Sequence, residues 1–222
     1  MAKQPIAGAS KTRLLPALTA GEAAELSRCF IVDAVSSMER LAADGADMTV
    51  SIAGAPAESA AYFKELAPSA GFVAQKGETL GDRLDHVMSD ALASGVAMVL
   101  AINSDSPTLP ASLVADAFDR LSNEHVDVVL GPAEDGGYYL IGWKRPHPRL
   151  VKEVKMSTPD VLRDTMAIAE AEGLRVELTA PWFDVDLPQD LTRVRTALDN
   201  GDHCGPATRD FFAARPSLGR SR

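Results

Sequence analysis

Two short acidic segments contain the residues whose types and spacing favour chemistry. Asp105 follows an apolar run and stands in a polar turn that is closed by a proline. Asp184 and Asp186 are two residues apart, so in an extended segment both carboxylates project from one face while Val185 points to the other. Like charges held together in this way attract a divalent cation.

Both placements also have a purely structural interpretation. Asp105 is equally suited to capping the turn that follows it. Asp186 precedes Pro188 and Gln189, which is a signature of a helix start, and this spacing taken alone favours a helix cap over a metal ligand. Spacing therefore leaves metal binding and capping open for these carboxylates.

A third acidic segment, GPAEDGGYYLIGW, places Glu134 and Asp135 directly before an apolar strand. Gly136 and Gly137 allow a positive φ or the close approach of a ligand to the backbone. The alternative is a solvated acidic turn. A plain hairpin rarely requires two carboxylates and two glycines in succession, which favours a functional turn.

Cationic side chains occur beside two glycine-containing loops. Lys11 and Arg13 follow the loop PIAGAS, and the segment QKGETLGDRL contains Gly81 and Arg83. Such loops bind phosphate through backbone N–H groups and positive charge. An ordinary surface position is the alternative for each. The chain lacks the motifs GxGxxG, GxSxG and HExxH, and its match to a phosphate-binding P-loop is incomplete.

The elements that must position these residues alternate between helices and strands. Val96–Ile102 is a continuous apolar run, which predicts a strand covered on both faces, as in a parallel sheet. Capping boxes, prolines and glycines predict the helices, including one that starts at Thr19 and one that Ser157 caps. The pattern predicts an α/β layered fold with a mostly parallel sheet, formed by residues 1–200 as one domain, and a polar tail over 201–222.

The composition limits the partners. A net charge of −9 and a pI near 4.9 disfavour nucleic acid as a ligand, which favours a small molecule. Cys29 and Cys204 have no metal or redox spacing and fit a reducing compartment. No apolar run approaches the roughly 20 residues that span a bilayer, so we expect a soluble, cytoplasmic protein. The oligomeric state is left open.

Six segments in order carry a resemblance to a known family: KTRL, QKGETLGDRL, NSDSPTLP, EDGGYYLIG, STPDVL and WFDVDLPQDL. Together they resemble a bacterial family of proteins named as nucleotide-diphospho-sugar transferases. This family is related to the phospholactate guanylyltransferases. The likeness runs from about Lys3 to Leu198. It implies a three-layer α/β/α GT-A fold and a nucleotide or nucleotide-sugar as ligand.

The resemblance also implies roles for the candidate residues. Asp105, with Asp186 or Asp184, would hold Mg²⁺ or Mn²⁺ on the nucleotide phosphates. Asp135 stands where GT-A glycosyltransferases often keep a general base, with Glu134 beside it. The remaining candidates would face phosphate, sugar or acceptor: Lys11, Arg13, Gly81, Arg83, Gly136 and Gly137.

The family has a full buried strand before its first loop, whereas this chain starts with MAKQ. We therefore expect a truncated first strand that leaves neighbouring strands without ladder partners. Three functions follow as hypotheses. The first is glycosyl transfer from a nucleotide-sugar to a small hydroxyl acceptor. The second is nucleotidyl transfer to a small phosphorylated acceptor, and the third is nucleotide binding without catalysis.

Overall fold

The chain forms an α/β structure, seen in a computed structural model that describes residues 1–45 and 47–220. The strands are β1 Ala2–Lys3, β2 Ser51–Ala55, β3 Gly71–Ala74, β4 Val99–Ile102, β5 Val128–Pro132, β6 Tyr138–Trp143 and β7 Val176–Leu178. The helices are α1 Ala20–Ala43, α2 Ala60–Leu66, α3 Leu80–Ala93, α4 Ala111–Ser122, α5 Arg149–Lys152, α6 Val161–Ala171, α7 Pro188–Asn200 and α8 Pro206–Ala213. The predicted α/β class is confirmed.

The strands form two sheets. One has the order β1-β2-β3, and its first two strands run parallel. The other has the order β4-β6-β5-β7, in which β6 runs antiparallel to both β4 and β5 while β5 and β7 are parallel. A tight turn between β5 and β6 forces the antiparallel pairing, because a short connection cannot return the chain for a parallel partner. The second sheet is therefore mixed, and its apolar strand β4 has an antiparallel partner.

The described chain divides into two compact units. The first unit comprises Met1, residues 73–103 and residues 112–183. Its core packs β5 and β6 against helices α3, α5 and α6, and contains Trp143, Leu130, Ile141, Leu84, Met88, Leu150, Val151 and Ala169. In the same unit the ammonium group of Met1 donates a hydrogen bond of 2.8 Å to the carbonyl oxygen of Ile102, at the end of β4.

The second unit comprises, among the described residues, 2–45, 47–72, 104–111 and 184–220. Its α1 starts with the predicted capping box, in which Thr19 Oγ1 accepts from the Glu22 N–H and the Glu22 carboxylate accepts from the Thr19 N–H. Further along α1, the buried carboxylate of Asp33 accepts hydrogen bonds from the N–H groups of Ala207 and Thr208 at 2.9 and 2.8 Å. A side chain of α1 thus satisfies the first backbone donors of α8.

The last stretch of the chain, predicted to be a polar tail, contains α8. The rings of Phe211 and Phe212 are buried there. The Arg195 guanidinium, which is also buried, donates to the carbonyl oxygens of Phe212, Arg215 and Leu218. Pro206, at the first helical position, is a local sequence signal that favours this helix, and the aromatic pair follows within the next two turns.

One predicted helix start is wrong in detail. Ser157 does not cap α6, because its backbone is left-handed with φ of 63° and the helix begins at Val161. Within the described residues, no helix combines the length and the apolar character that a membrane span requires.

The burial of α8 generates a stability prediction. We expect Phe212→Ala to lower the free energy of unfolding by about 3 to 5 kcal/mol, since it leaves a cavity under α8. The control is Ile6→Ala, at a side chain that is 51% exposed, with an expected change within about 0.5 kcal/mol. Urea denaturation followed by circular dichroism measures both, and equal midpoints would contradict the packing of α8.

Candidate functional site

The ammonium group of Lys11 lies at the centre of a cluster in the second unit. Lys11 Nζ is 2.8 Å from Asp105 Oδ1 and 2.9 Å from Asp186 Oδ1. It also donates to the carbonyl oxygen of Val185 at 2.9 Å. The Lys11 side chain is only 7% exposed, whereas the two carboxylates are 40% and 39% exposed. The cluster is thus a buried cation beneath two carboxylates that solvent can reach.

Local backbone structure places Lys11 in this position. Its φ of 47° and ψ of 41° are left-handed, and the residue begins a one-turn 3-10 helix, Thr12–Leu14. The loop before it is closed on itself, because Ser10 Oγ accepts from the Ile6 N–H at 2.9 Å. The ammonium also lies 5.6 Å from the centre of the buried Phe30 ring. Favourable cation–π contact therefore adds to the ion pairs.

The charge of Lys11 is set by opposing effects. Burial favours the neutral amine, but the charges of Asp105 and Asp186 together outweigh it and raise the pKa of Lys11 above its ordinary value. Lys11 therefore stays protonated at neutral pH, and the cluster carries one positive and two negative charges.

The segment that contains Asp184 and Asp186 is held beside the Asp105 turn. The Val185 N–H donates to the carbonyl oxygen of Asp105 at 2.9 Å, and Ser106 Oγ donates to Asp184 Oδ1 at 2.6 Å. Val185 is fully buried, as the alternation predicted. Of the two aspartates in this segment, Asp186 is the one that shares Lys11 with Asp105.

The structure resolves the alternative interpretation of Asp186. The start of α7 is capped by Asp190, whose Oδ2 accepts from the N–H groups of Asp186 and Leu187 at 3.0 and 2.7 Å. The Asp186 carboxylate instead points to Lys11 and, at 3.6 Å, to Arg13 Nη1. The capping interpretation that spacing favoured for Asp186 is therefore wrong.

The donor set of the cluster suits a divalent cation in its chemistry. Two carboxylates and the Val185 carbonyl converge on one positive charge, and hard oxygens of this kind are the ligands of Mg²⁺. In the part of the chain that the structure describes, no group of three or more His, Cys, Asp or Glu side chains is placed to hold a metal ion. Mg²⁺ commonly uses one or two carboxylates together with other oxygen ligands, so the chemistry of the pair is compatible with such an ion.

The acidic turn of the first unit connects β5 to β6. Asp135 is exposed, and its Oδ1 accepts from the Gly137 N–H at 2.9 Å, as turn-forming aspartates do. Gly136 has φ of 91°, and a Cβ on it would lie 2.0 Å from the carbonyl oxygen of Pro159. Glu134, also exposed, donates its N–H to the carbonyl oxygen of Trp182 at 3.0 Å. The first of the two glycines is thus required by the close approach of the segment before α6.

The other loop candidates of the first unit have local contacts. Gly81 lies where α3 meets α5, and a Cβ there would be 1.9 Å from the carbonyl oxygen of Val151. Arg83 Nε donates to the carbonyl oxygen of Gly77 at 3.0 Å, which holds the loop before α3. Close helix packing accounts for Gly81, and the role of Arg83 toward a ligand stays a prediction.

The predicted residues fall into two groups. The second unit brings together Lys11, Arg13, Asp105, Asp184 and Asp186, while the first unit contains Gly81, Arg83, Glu134, Asp135, Gly136 and Gly137. Sequence reasoning missed two members of the cluster, the carbonyl oxygen of Val185 and the ring of Phe30. No sequence signal marks a carbonyl, and Phe30 follows only the helical periodicity of α1.

Comparisons with known proteins agree with this fold. The family described as "Uncharacterized protein conserved in bacteria (DUF2064)" matches residues 37–158. A crystal structure of a "putative nucleotide-diphospho-sugar transferase" from Desulfovibrio desulfuricans G20 is 32% identical, covers 98% of this chain and 94% of its own, and has a TM-score of 0.88. No curated protein matches the chain.

Two more distant structures show the fold alone. CMP:2-keto-3-deoxy-manno-octonic acid synthetase, complexed with CTP, is 13% identical over 78% of this chain and 88% of its own, with a TM-score of 0.52. 4-Diphosphocytidyl-2C-methyl-D-erythritol synthase is 16% identical over 77% of this chain and 90% of its own, with a TM-score of 0.54.

The two glycines of the acidic turn generate a matched prediction. Gly136→Ala should lower the free energy of unfolding by about 1 to 3 kcal/mol, because its φ is positive and Pro159 blocks a side chain. Gly137→Ala should change it by less than about 1 kcal/mol, since its nearest obstacle is the Asp135 side chain at 3.2 Å. Thermal unfolding measures both, and an equal loss in the two variants would contradict this geometry.

Proposed function

The chain belongs to the DUF2064 family of bacterial proteins, and we propose that it is a transferase that acts on a nucleotide-activated donor. The proposed reaction is glycosyl transfer from a nucleotide-diphospho-sugar to the hydroxyl group of a small acceptor. The observation that carries the proposal is the convergence of Asp105 and Asp186 on a single cation. The name of the Desulfovibrio relative supports the class of donor.

Asp105 and Asp186 are the proposed holders of Mg²⁺ or Mn²⁺, since their carboxylates are partly exposed and share one cation. A bound divalent ion supplies neutralisation of the diphosphate charge that grows as the donor bond breaks. The Val185 N–H bond to Asp105 keeps the two segments side by side. The chain therefore orients both ligands before any donor arrives.

Arg13 and Asp135 supply the remaining proposed roles. The Arg13 side chain is 63% exposed and is suited to pairing with a donor phosphate. Asp135 is proposed to accept the proton of the attacking hydroxyl group, with Glu134 as its neighbour in the exposed turn.

Nucleotidyl transfer to a small phosphorylated acceptor is the second candidate. Asp105 is flanked by Ser104 and Ser106, so the segment lacks the paired aspartates common in metal-dependent glycosyltransferases. This observation favours a nucleoside triphosphate as donor, with pyrophosphate as a product.

Calorimetry with nucleotides and nucleotide-sugars, with and without Mn²⁺, tests the proposal. Mn²⁺-dependent binding of a nucleotide-sugar supports glycosyl transfer. Binding of a nucleoside triphosphate, followed by pyrophosphate release when acceptors are added, supports the second candidate. Tight binding with no hydrolysis or transfer would identify a non-catalytic nucleotide-binding protein, and the absence of any nucleotide binding would overturn all three.

The proposed roles give opposite signatures to two isosteric variants. Asp105→Asn should weaken metal-dependent nucleotide binding. Asp135→Asn should leave that binding unchanged and slow turnover about 10² to 10⁴-fold, as the loss of a general base does. Titration calorimetry and product formation measure the two effects.

A matched Glu134→Gln variant tests the adjacent carboxylate. If Asp135 is the base, Glu134→Gln should slow turnover less than Asp135→Asn does. Normal turnover in Asp135→Asn would remove the base assignment.

A further inference from the structure

The Lys11 ammonium donates hydrogen bonds to the same oxygen atoms that would bind a metal ion. Three oxygen atoms accept from it, at 2.8, 2.9 and 2.9 Å, which matches the three N–H donors of a lysine. One of them belongs to each proposed metal ligand, Asp105 and Asp186, and the third is the Val185 carbonyl. The ammonium is therefore the counter-ion of the carboxylate pair.

A divalent cation and this ammonium oppose each other. Two positive charges that share one pair of carboxylates repel each other strongly where water is scarce, and Lys11 is only 7% exposed. The carboxylates can turn toward a new cation, because each is about two-fifths exposed. Occupancy by a metal ion thus weakens the hold on Lys11.

The loop over residues 5–10 leads directly into Lys11. Residues 5–10 are mostly exposed, and their backbone hydrogen bonds close the loop on itself through Ile6 and Ser10. The Lys11 ion pairs join this loop to the segments around Asp105 and Asp186. A change at the carboxylates is therefore transmitted directly to the loop.

We infer that Lys11 is an exchangeable counter-ion: a divalent cation competes with its ammonium for Asp105 and Asp186, and entry of the cation releases the loop over residues 5–10. This inference rests on the proposed function, because it takes the two aspartates as metal ligands. In the metal-free site Lys11 neutralises the two carboxylates, and it affects metal binding only through them.

The test is direct binding of Mn²⁺, measured by electron paramagnetic resonance in the absence of nucleotide. Lys11→Met keeps most of the side-chain volume and removes the charge, so Mn²⁺ affinity should rise about tenfold or more. Arg13→Gln is the matched control, because it removes one positive charge 3.6 Å from Asp186 at a side chain that is 63% exposed. Its effect should stay below about threefold, since exposed charges are screened.

A measurement on the unmodified chain keeps the inference testable if Lys11→Met folds poorly. Amide hydrogen exchange over residues 6–10 should become faster at saturating Mn²⁺ and should return to its original rate after chelation. Equal or weaker Mn²⁺ affinity in folded Lys11→Met, or exchange that Mn²⁺ leaves unchanged, would overturn the inference.

The proposed function fails by a different result. If the unmodified chain binds no nucleotide with Mn²⁺ present, the transferase proposal fails, whatever Lys11→Met does to Mn²⁺ affinity. If it binds nucleotide and Lys11→Met leaves Mn²⁺ affinity unchanged, only the exchange is wrong. The double variant Lys11→Met with Asp105→Asn should lose the increase in Mn²⁺ affinity that Lys11→Met produces. If the increase persists in the double variant, Mn²⁺ binds elsewhere and the competition with Lys11 is wrong.

Discussion

The buried ammonium of Lys11 is the interaction on which the arrangement of the candidate site depends. Two carboxylates placed side by side repel each other. The repulsion between two like unit charges 4 Å apart is about 4 kcal/mol at an effective dielectric constant of 20. A buried ammonium is costly in turn unless its donors are satisfied. The Lys11 ammonium therefore offsets the repulsion between Asp105 and Asp186, and the two carboxylates in turn satisfy two of its donors. The Val185 carbonyl accepts from the third donor.

Local signals explain the part of the fold that the sequence predicts. The capping box of Thr19 and Glu22 acts within four residues, so the start of α1 can be predicted without any tertiary information. The two possible caps of α7, Asp186 and Asp190, cannot be told apart in this way, because both are acidic and lie one helical turn apart. The choice depends on Lys11, which is 175 residues away in sequence.

Contacts between residues distant in sequence also explain the features of the site that the sequence did not predict. Gly136 could be predicted to need a glycine, but the reason, the Pro159 backbone, comes from a segment whose position follows only from packing. The clustering of Asp105 with Asp186 was predictable from the fold that the motifs resemble. The burial of Lys11 was not, since it requires both Phe30 on α1 and the Val185 carbonyl to lie beside the Lys11 ammonium.

The second unit is assembled from three separated stretches of chain, and each contributes one charged member of the cluster: Lys11, Asp105 and Asp186. During translation the ribosome releases Lys11 long before it releases Asp186. The cluster thus cannot close until Asp186 has emerged, 175 residues after Lys11, and contacts between such distant residues slow folding. A nascent chain that ends before Val185 consequently leaves the Lys11 ammonium without two of its three acceptors.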